Sequence, residues 1–167
     1  MKFFNPDKSS YFESFINSYE KCINEKIPEL QDINVCLVEK ESKELNLIFS
    51  DNNPLLDESW YKTTPFGFDG KKMDYMVIYH VIDYGVDFDK DEMHALMFHE
   101  IGHILFRVQE LSKSDLEEEC FADDVAVNMM GAQCLIAAFE KMICKACDWE
   151  IKDEITYRKN RLLGKCM

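Results

Sequence analysis

The hydrophobic pattern of the first fifty residues changes from helical to extended. Apolar and aromatic positions recur at helical spacing after Ser10, and Glu13 completes a capping-box pattern with it. We therefore predict a helix over about residues 9–26. Two short runs of β-branched and alternating apolar residues follow at 33–39 and 44–50, with a polar KESK segment between them. This arrangement is typical of a β-hairpin.

A third strand is predicted at residues 74–82, because the run DYMVIYHVI is apolar or aromatic at nearly every position. With the hairpin it gives a three-stranded, mainly antiparallel sheet. The stretch at 51–72 is long for a structureless connection, and its Asn53-Pro54 pair is typical of a short helix start. We interpret its remainder as an ordered loop whose aromatic residues pack against the core. A lid or a cleft wall is the alternative.

From Asp89 the pattern is helical to the end of the chain. Asp89 with Glu92, and Ser114 with Glu117, form two capping-box pairs that each precede an amphipathic run. Gly131 is a stop signal for the second of these helices. The pattern thus predicts a pair of consecutive helices within residues 89–131.

Two further helices are predicted at about 132–146 and 150–163, with Gly164 as the final C-cap. A helix, three strands and then helices make an α+β fold. At 167 residues the chain has the length of a single domain. We divide that domain, 1–167, into a helix plus sheet at 1–88, the helix pair at 89–131 and C-terminal helices at 132–167.

Net charge indicates which partners to expect, and cysteine content indicates the cellular compartment. The formal net charge of −13 would repel a phosphate backbone and an anionic membrane surface, so we expect neither nucleic acid nor membrane as a partner. The N-terminal sequence lacks the apolar run of a signal peptide, and seven cysteines without such a signal are typical of reduced thiols in the cytoplasm. We interpret the C-x-x-C pair Cys144 and Cys147 as buried thiols without a redox or metal role.

The central motif is His99-Glu100-Ile101-Gly102-His103, which matches H-E-x-x-H. Two histidines four positions apart on a helix lie about 40° apart, so both imidazoles can reach one metal ion. Glu100 projects beside them without being a ligand itself. Because zinc lowers the pKa of its bound water to about 7, a carboxylate in this position can accept the proton as that water attacks a carbonyl. We predict Zn²⁺ bound by His99 and His103, with Glu100 as the general base.

The next helix offers carboxylates for the third ligand that a catalytic zinc site needs. Glu119 opens an E-x-x-A-D-x-x-A pattern, in which Glu119 and Asp123 share one helix face and small alanines allow two helices to approach closely. We predict that Glu119 is the third ligand and that Asp123 orients one of the ligand histidines. Glu118 is the alternative third ligand. His94, about 140° round the helix from His99, is expected to face solvent.

The HEIGH motif followed by E-x-x-A-D-x-x-A resembles the gluzincin metallopeptidases, and more narrowly the ImmA/IrrE family. Glu119, Ala122 and Ala126 match that family's E-x-x-A-N-x-F-A pattern, and Asp123 stands in place of its asparagine. The resemblance implies a small zincin-like domain whose third strand is an edge strand that receives an extended substrate by β-addition.

Three side chains on or just after that strand are candidate donors to the oxyanion of the transition state: His80, Tyr79 and Tyr84. For each of them, a packed strand residue is the alternative. We expect a zinc metallopeptidase that hydrolyses a specific intracellular protein. The alternatives are a metal-bound regulatory module that captures a protein partner without turnover, and a metal-dependent hydrolase that acts on bonds other than peptide bonds.

Overall fold

The computed structural model describes residues 1–39, 61–65, 75–79, 86–146 and 148–165. The chain divides into two compact units, Met1–Val81 and Ile82–Met167. Among the described residues, every helix is too short or too polar to cross a bilayer.

The first unit begins with a short strand and an amphipathic helix. Its elements are β1 (Lys2–Phe4), α1 (Ser10–Lys26), a short 3-10 helix (Pro28–Leu30), β2 (Asn34–Glu39), β3 (Tyr61–Pro65) and β4 (Tyr75–Tyr79). The predicted first helix is confirmed, and it buries Phe12, Phe15 and Ile23. Its predicted capping box is wrong, because Ser9 is the N-cap and Ser10 already lies inside the helix. The Asn5 amide instead forms hydrogen bonds with the backbone of Ser9.

The described strands form one four-stranded sheet in the order β1-β2-β4-β3. β1 and β2 are parallel, β2 and β4 are parallel, and β3 pairs with β4 in the antiparallel direction. The α+β class is confirmed, but the three-stranded, mainly antiparallel sheet is wrong in both strand number and direction. The physical reason is that an apolar run identifies a strand without encoding its direction, which depends on the connection between the strands.

β3 lies within the stretch at 51–72 that was expected to be a loop. Its sequence, YKTTP, is polar and ends in proline, a composition found at the edge of a sheet, so hydrophobic periodicity does not reveal it. β4 pairs with a neighbour on both sides, so the predicted edge strand that receives a substrate is wrong. The predicted strand at 44–50 and the helix start at Asn53-Pro54 lie outside the described residues.

The second unit is helical in its described part. Its helices are α2 (Lys90–Val108), α3 (Asp115–Met130), α4 (Ala132–Lys145) and α5 (Trp149–Lys165). Both predicted capping boxes are confirmed, and Gly131 ends α3 with φ 84°, a conformation that favours glycine. The predicted C-cap at Gly164 is wrong, because α5 continues through it to Lys165, whose ammonium binds the Asp124 carboxylate. Cys144 is exposed, so its predicted burial is wrong, and Cys147 lies outside the described residues.

The start of α2 is tied to α4 by a charged contact. The Glu92 carboxylate accepts from the backbone N–H of Asp89 at 2.7 Å, as its capping-box role requires. The same oxygen accepts from Lys141 Nζ of α4 at 2.6 Å, and Lys141 also donates to the carbonyl of Asp87. The N-terminus of the H-E-x-x-H helix is therefore held both by its own cap and by a neighbouring helix.

Candidate metal centre

Helix α2 is buried around nearly its whole circumference. Its side chains from Glu92 to Phe106 are buried apart from Met93, and those of His99, Glu100 and His103 are all among the buried ones. The expectation that His94 faces solvent is wrong: it is buried, and burial lowers the pKa of its imidazole. A helix that is covered on all sides has no polar face from which exposure can be read.

The two motif histidines converge as their spacing predicts. The Nε2 atoms of His99 and His103 lie 3.1 Å apart, one turn apart along the helix. Potential ligand atoms of His99, Glu100 and His103 all lie within 4.8 Å of one another. Both imidazoles therefore present a nitrogen to the same point, with a carboxylate beside it.

Glu119 of α3 brings its carboxylate to that same point. Its Oε2 lies 3.2 Å from His99 Nε2, and its Oε1 lies 3.4 Å from His103 Nε2. A tetrahedral zinc site with bonds of about 2.0–2.1 Å separates its ligand atoms by about 3.3 Å. The donor triangle of His99, His103 and Glu119, in which each Glu119 oxygen faces one histidine, thus has sides close to those that a zinc ion requires.

The close approach of α2 and α3 makes this triangle possible. A Cβ atom added at Gly102 would lie 2.5 Å from the Cα of Ala122. Ala122 is fully buried, as is Ala126 one turn later. Ala122, one of the small residues singled out in the sequence, therefore faces the H-E-x-x-H helix at backbone contact distance, and Glu119 lies one turn before it.

Two further carboxylates lie behind the histidines. Asp123 Oδ1 is 3.0 Å from His99 Nδ1, and Glu118 Oε1 is 2.8 Å from His103 Nδ1. Each ring thus has a carboxylate on its outer nitrogen, which fixes the ring plane and turns Nε2 towards the shared point. Asp123 lies where the orienting role was predicted. Glu118, the alternative third ligand, instead has the same relation to His103 that Asp123 has to His99.

Arg158 of α5 is a member of this cluster that the sequence reasoning missed. Its side chain is 7% exposed, and its guanidinium lies over the Phe139 ring, 4.8 Å from the centroid. Nη2 and Nε donate to the two carboxylate oxygens of Asp123 at 2.6 and 3.0 Å. Nη1 lies 2.6 Å from Oε2 of Glu119.

A signal for Arg158 does exist in the sequence. Ile155 precedes it by three positions and Leu162 follows it by four, so all three share one face of α5. These three residues are the buried side chains of that helix. An arginine in the middle of an apolar stripe is expected to need a buried anion, and the carboxylates of α3 supply it.

The buried charges shift one another's pKa values. Burial alone would lower the pKa of His99, but its hydrogen bonds with Asp123 and Glu119 outweigh burial and raise that pKa to about 10. Burial would raise the pKa of both carboxyls, yet their contacts with the histidines and with Arg158 hold the pKa of Glu119 and that of Asp123 below their usual values. Without a metal, His99 is therefore an imidazolium between two carboxylates.

This charge state predicts how the stability of the metal-free protein depends on pH. Because the pKa of His99 is raised from 6.5 to about 10 on folding, its contribution is complete below pH 6.5 and is lost as the pH rises towards 10. The lowered pKa of Asp123 acts in the opposite sense, and its contribution is lost in acid. We expect the thermal midpoint measured in chelator to fall by roughly 5 °C or more between pH 6.5 and 9.5. The His99→Gln variant should lack this decline, and an equal decline in both proteins would contradict the assignment.

The side chains of the three candidate oxyanion donors lie outside the described part of the structure. His80 and Tyr84 lie outside the described residues. Tyr79 is the last residue of β4, and its side chain lies outside the described part as well. All three therefore stay predictions.

Comparisons of the chain with protein-family models, with curated proteins and with solved structures find no match. The likeness to gluzincins therefore stays a resemblance carried by the two motifs. The geometry of His99, His103 and Glu119, with the carboxylates around them, is the evidence for a metal site.

Proposed function

We propose that this protein is a zinc metallopeptidase of the cytoplasm that hydrolyses a specific protein or peptide substrate. The observation that carries the proposal is the donor triangle, whose sides of 3.1, 3.2 and 3.4 Å, the last two to different oxygens of Glu119, are close to those of a tetrahedral zinc site. All three ligand side chains are buried or half-buried, and both histidines have a carboxylate behind them. Three protein ligands are typical of catalytic zinc sites, which keep one position open for water.

When bound, zinc would supply a water molecule of lowered pKa and a Lewis acid for the substrate carbonyl. The protein's own contribution begins with Glu100, which follows His99 directly on α2 and is buried beside the histidines. In this position its carboxylate accepts the proton of the attacking water and delivers it to the leaving amine. Asp123 and Glu118 hold the two imidazoles in the tautomer that offers Nε2 to the metal.

The Glu100→Gln variant tests the enzyme proposal. The substitution keeps the shape of the side chain and removes its basicity, so the purified variant should retain about one zinc per chain while hydrolysis falls at least about a hundredfold. Metal content is measured by elemental analysis of protein purified without chelator. Cleavage is measured by quantitative proteomics of new protein termini in cells that carry the wild type or the variant.

The outcomes separate the candidate functions. New termini that need an intact Glu100 support the peptidase. A wild-type protein without metal would overturn the proposal entirely. Metal without any Glu100-dependent termini would favour a regulatory module that captures a protein partner, or a hydrolase of another bond. If the protein is such a regulatory module, its capture of the partner should be unchanged by Glu100→Gln.

A further inference from the structure

The guanidinium of Arg158 is placed where the charge of a metal ion would act. It bonds both oxygens of Asp123, the carboxylate behind His99, and it also bonds Oε2 of Glu119, the third corner of the donor triangle. Its Nη2 lies within 3.5 Å of the His99 ring nitrogens. The buried Arg158 cation thus contacts two of the proposed ligands, Glu119 and His99. It also contacts Asp123, the carboxylate that orients His99.

These contacts neutralise acidic groups that could not stay buried alone. Asp123 is fully buried, and Glu119 is 28% exposed. An ionised carboxylate withdrawn from water is costly unless a cation and hydrogen bonds compensate it. Arg158 supplies both through three of its nitrogens. Asp123 and Glu119 can therefore keep their positions in the folded protein when no metal is bound.

The same arrangement opposes metal binding in two ways. Oε2 of Glu119 is the oxygen nearest to His99 Nε2, and it is already occupied by Arg158 at 2.6 Å. A divalent ion within the donor triangle would also lie a few ångströms from a fixed positive charge, and the two repel each other in this buried setting. Binding the ion therefore requires Arg158 to give up or share the Glu119 carboxylate.

We propose that Arg158 is a built-in counter-ion that keeps the site folded without metal and competes with the metal for Glu119. The inference rests on the proposed function, since it takes the donor triangle to be a metal site. Its consequence is regulatory: the folded protein exists in metal-free and metal-bound forms, and the availability of the metal sets the occupancy. Without this arginine, the metal-free site would have only the His99 imidazolium to balance Asp123 and Glu119, and its folding would depend more strongly on the metal.

The experiment compares the wild type with Arg158→Met and Arg158→Lys in chelator and in Zn²⁺. Arg161→Met is the matched control, because Arg161 lies one turn further along α5, bonds Asp124 and the carbonyl of Cys120, and approaches Asp123 only to 3.7 Å. In chelator, we expect Arg158→Met to lower the thermal midpoint by about 10 °C. Zn²⁺ should then raise the midpoint of this variant by more than it raises that of the wild type. Competition with a chromophoric chelator should show at least about tenfold tighter zinc binding by folded Arg158→Met.

Arg158→Lys should fall between the wild type and Arg158→Met, and Arg161→Met should bind zinc as the wild type does. If Arg158→Met does not fold in chelator, recovery of its fold by Zn²⁺ supports the proposal, and the Arg158→Lys affinity provides the second test. Weaker or equal zinc binding by the Arg158 variants, with a wild type that binds zinc, would overturn this proposal alone. A wild type that binds no zinc would overturn both proposals.

Discussion

Replacing Gly102 with alanine is expected to separate α2 from α3 and to dismantle the proposed metal centre. The added Cβ would lie 2.5 Å from Ala122 Cα and 2.9 Å from the Ala122 carbonyl oxygen. These are backbone atoms, so no side-chain rotation can relieve the overlap, and the two helices must move apart. We expect the free energy of unfolding to fall by about 3 kcal/mol, and zinc affinity to fall with it because Glu119 moves away from the histidines. Denaturant unfolding and zinc titration measure the two effects.

Gly164→Ala is the control for this change. Gly164 also lies within a helix, but an added Cβ there would meet no atom within 4 Å. Since alanine is the better helix former by about 1 kcal/mol, this variant should be at least as stable as the wild type. We therefore expect Gly102→Ala to lower the free energy of unfolding and Gly164→Ala to leave it unchanged or raise it. A Gly102→Ala protein as stable as the wild type would contradict the close helix contact.

The second large effect is expected from Glu119→Gln. Structural zinc sites bind with about 10–16 kcal/mol in all, so one of four coordination positions accounts for about 2.5–4 kcal/mol, or roughly a hundredfold to a thousandfold in affinity. The amide keeps the size of the side chain but removes the charge that faces both Nε2 atoms. We expect zinc affinity to fall by about that factor and peptide hydrolysis to be lost with it. Zinc competition and elemental analysis measure the loss.

Glu118→Gln is the matched control. Glu118 directly precedes Glu119 in the chain, and its carboxylate contacts Nδ1 of His103 instead of the Nε2 atoms that face the proposed metal. Removing a carboxylate that only orients a ligand costs roughly 10–100-fold in affinity. The variant that loses more zinc affinity thus identifies which of the two glutamates is the third ligand. If Glu118→Gln proved the more damaging, Glu118 would be the third ligand and the donor triangle would be assigned wrongly.

The parts of the site that could be predicted are those determined by local spacing. A separation of four positions fixes the angle between two histidines on any helix, and the capping boxes at Asp89 and Ser114 mark where the two helices begin. Asp123, four positions after Glu119, was predicted to lie behind a ligand histidine, and its carboxylate is 3.0 Å from His99. Each of these inferences needs only the geometry of a single helix and the assumption that two neighbouring helices touch.

The features that were missed depend on contacts between elements distant in sequence. The direction of β4 relative to β2 is set by how the chain connects them, and the apolar run of β4 is the same for either direction. The burial of His94 follows from neighbours that cover every side of α2. Arg158 reaches Asp123 across 35 positions of sequence, and no local pattern names its partner. Long-range pairing thus limits what one sequence can predict.

The ligand set of the donor triangle lies within one stretch of chain, from His99 to Glu119, whereas Arg158 belongs to the last helix. Because a protein is synthesised from its N-terminus, both histidines and all the carboxylates of the cluster leave the ribosome before the arginine that neutralises them. The helical hairpin of α2 and α3 closes only a short loop and can form early. Docking of α5 then completes the charge balance, so a chain that ends before Arg158 would hold its ligands without their counter-ion.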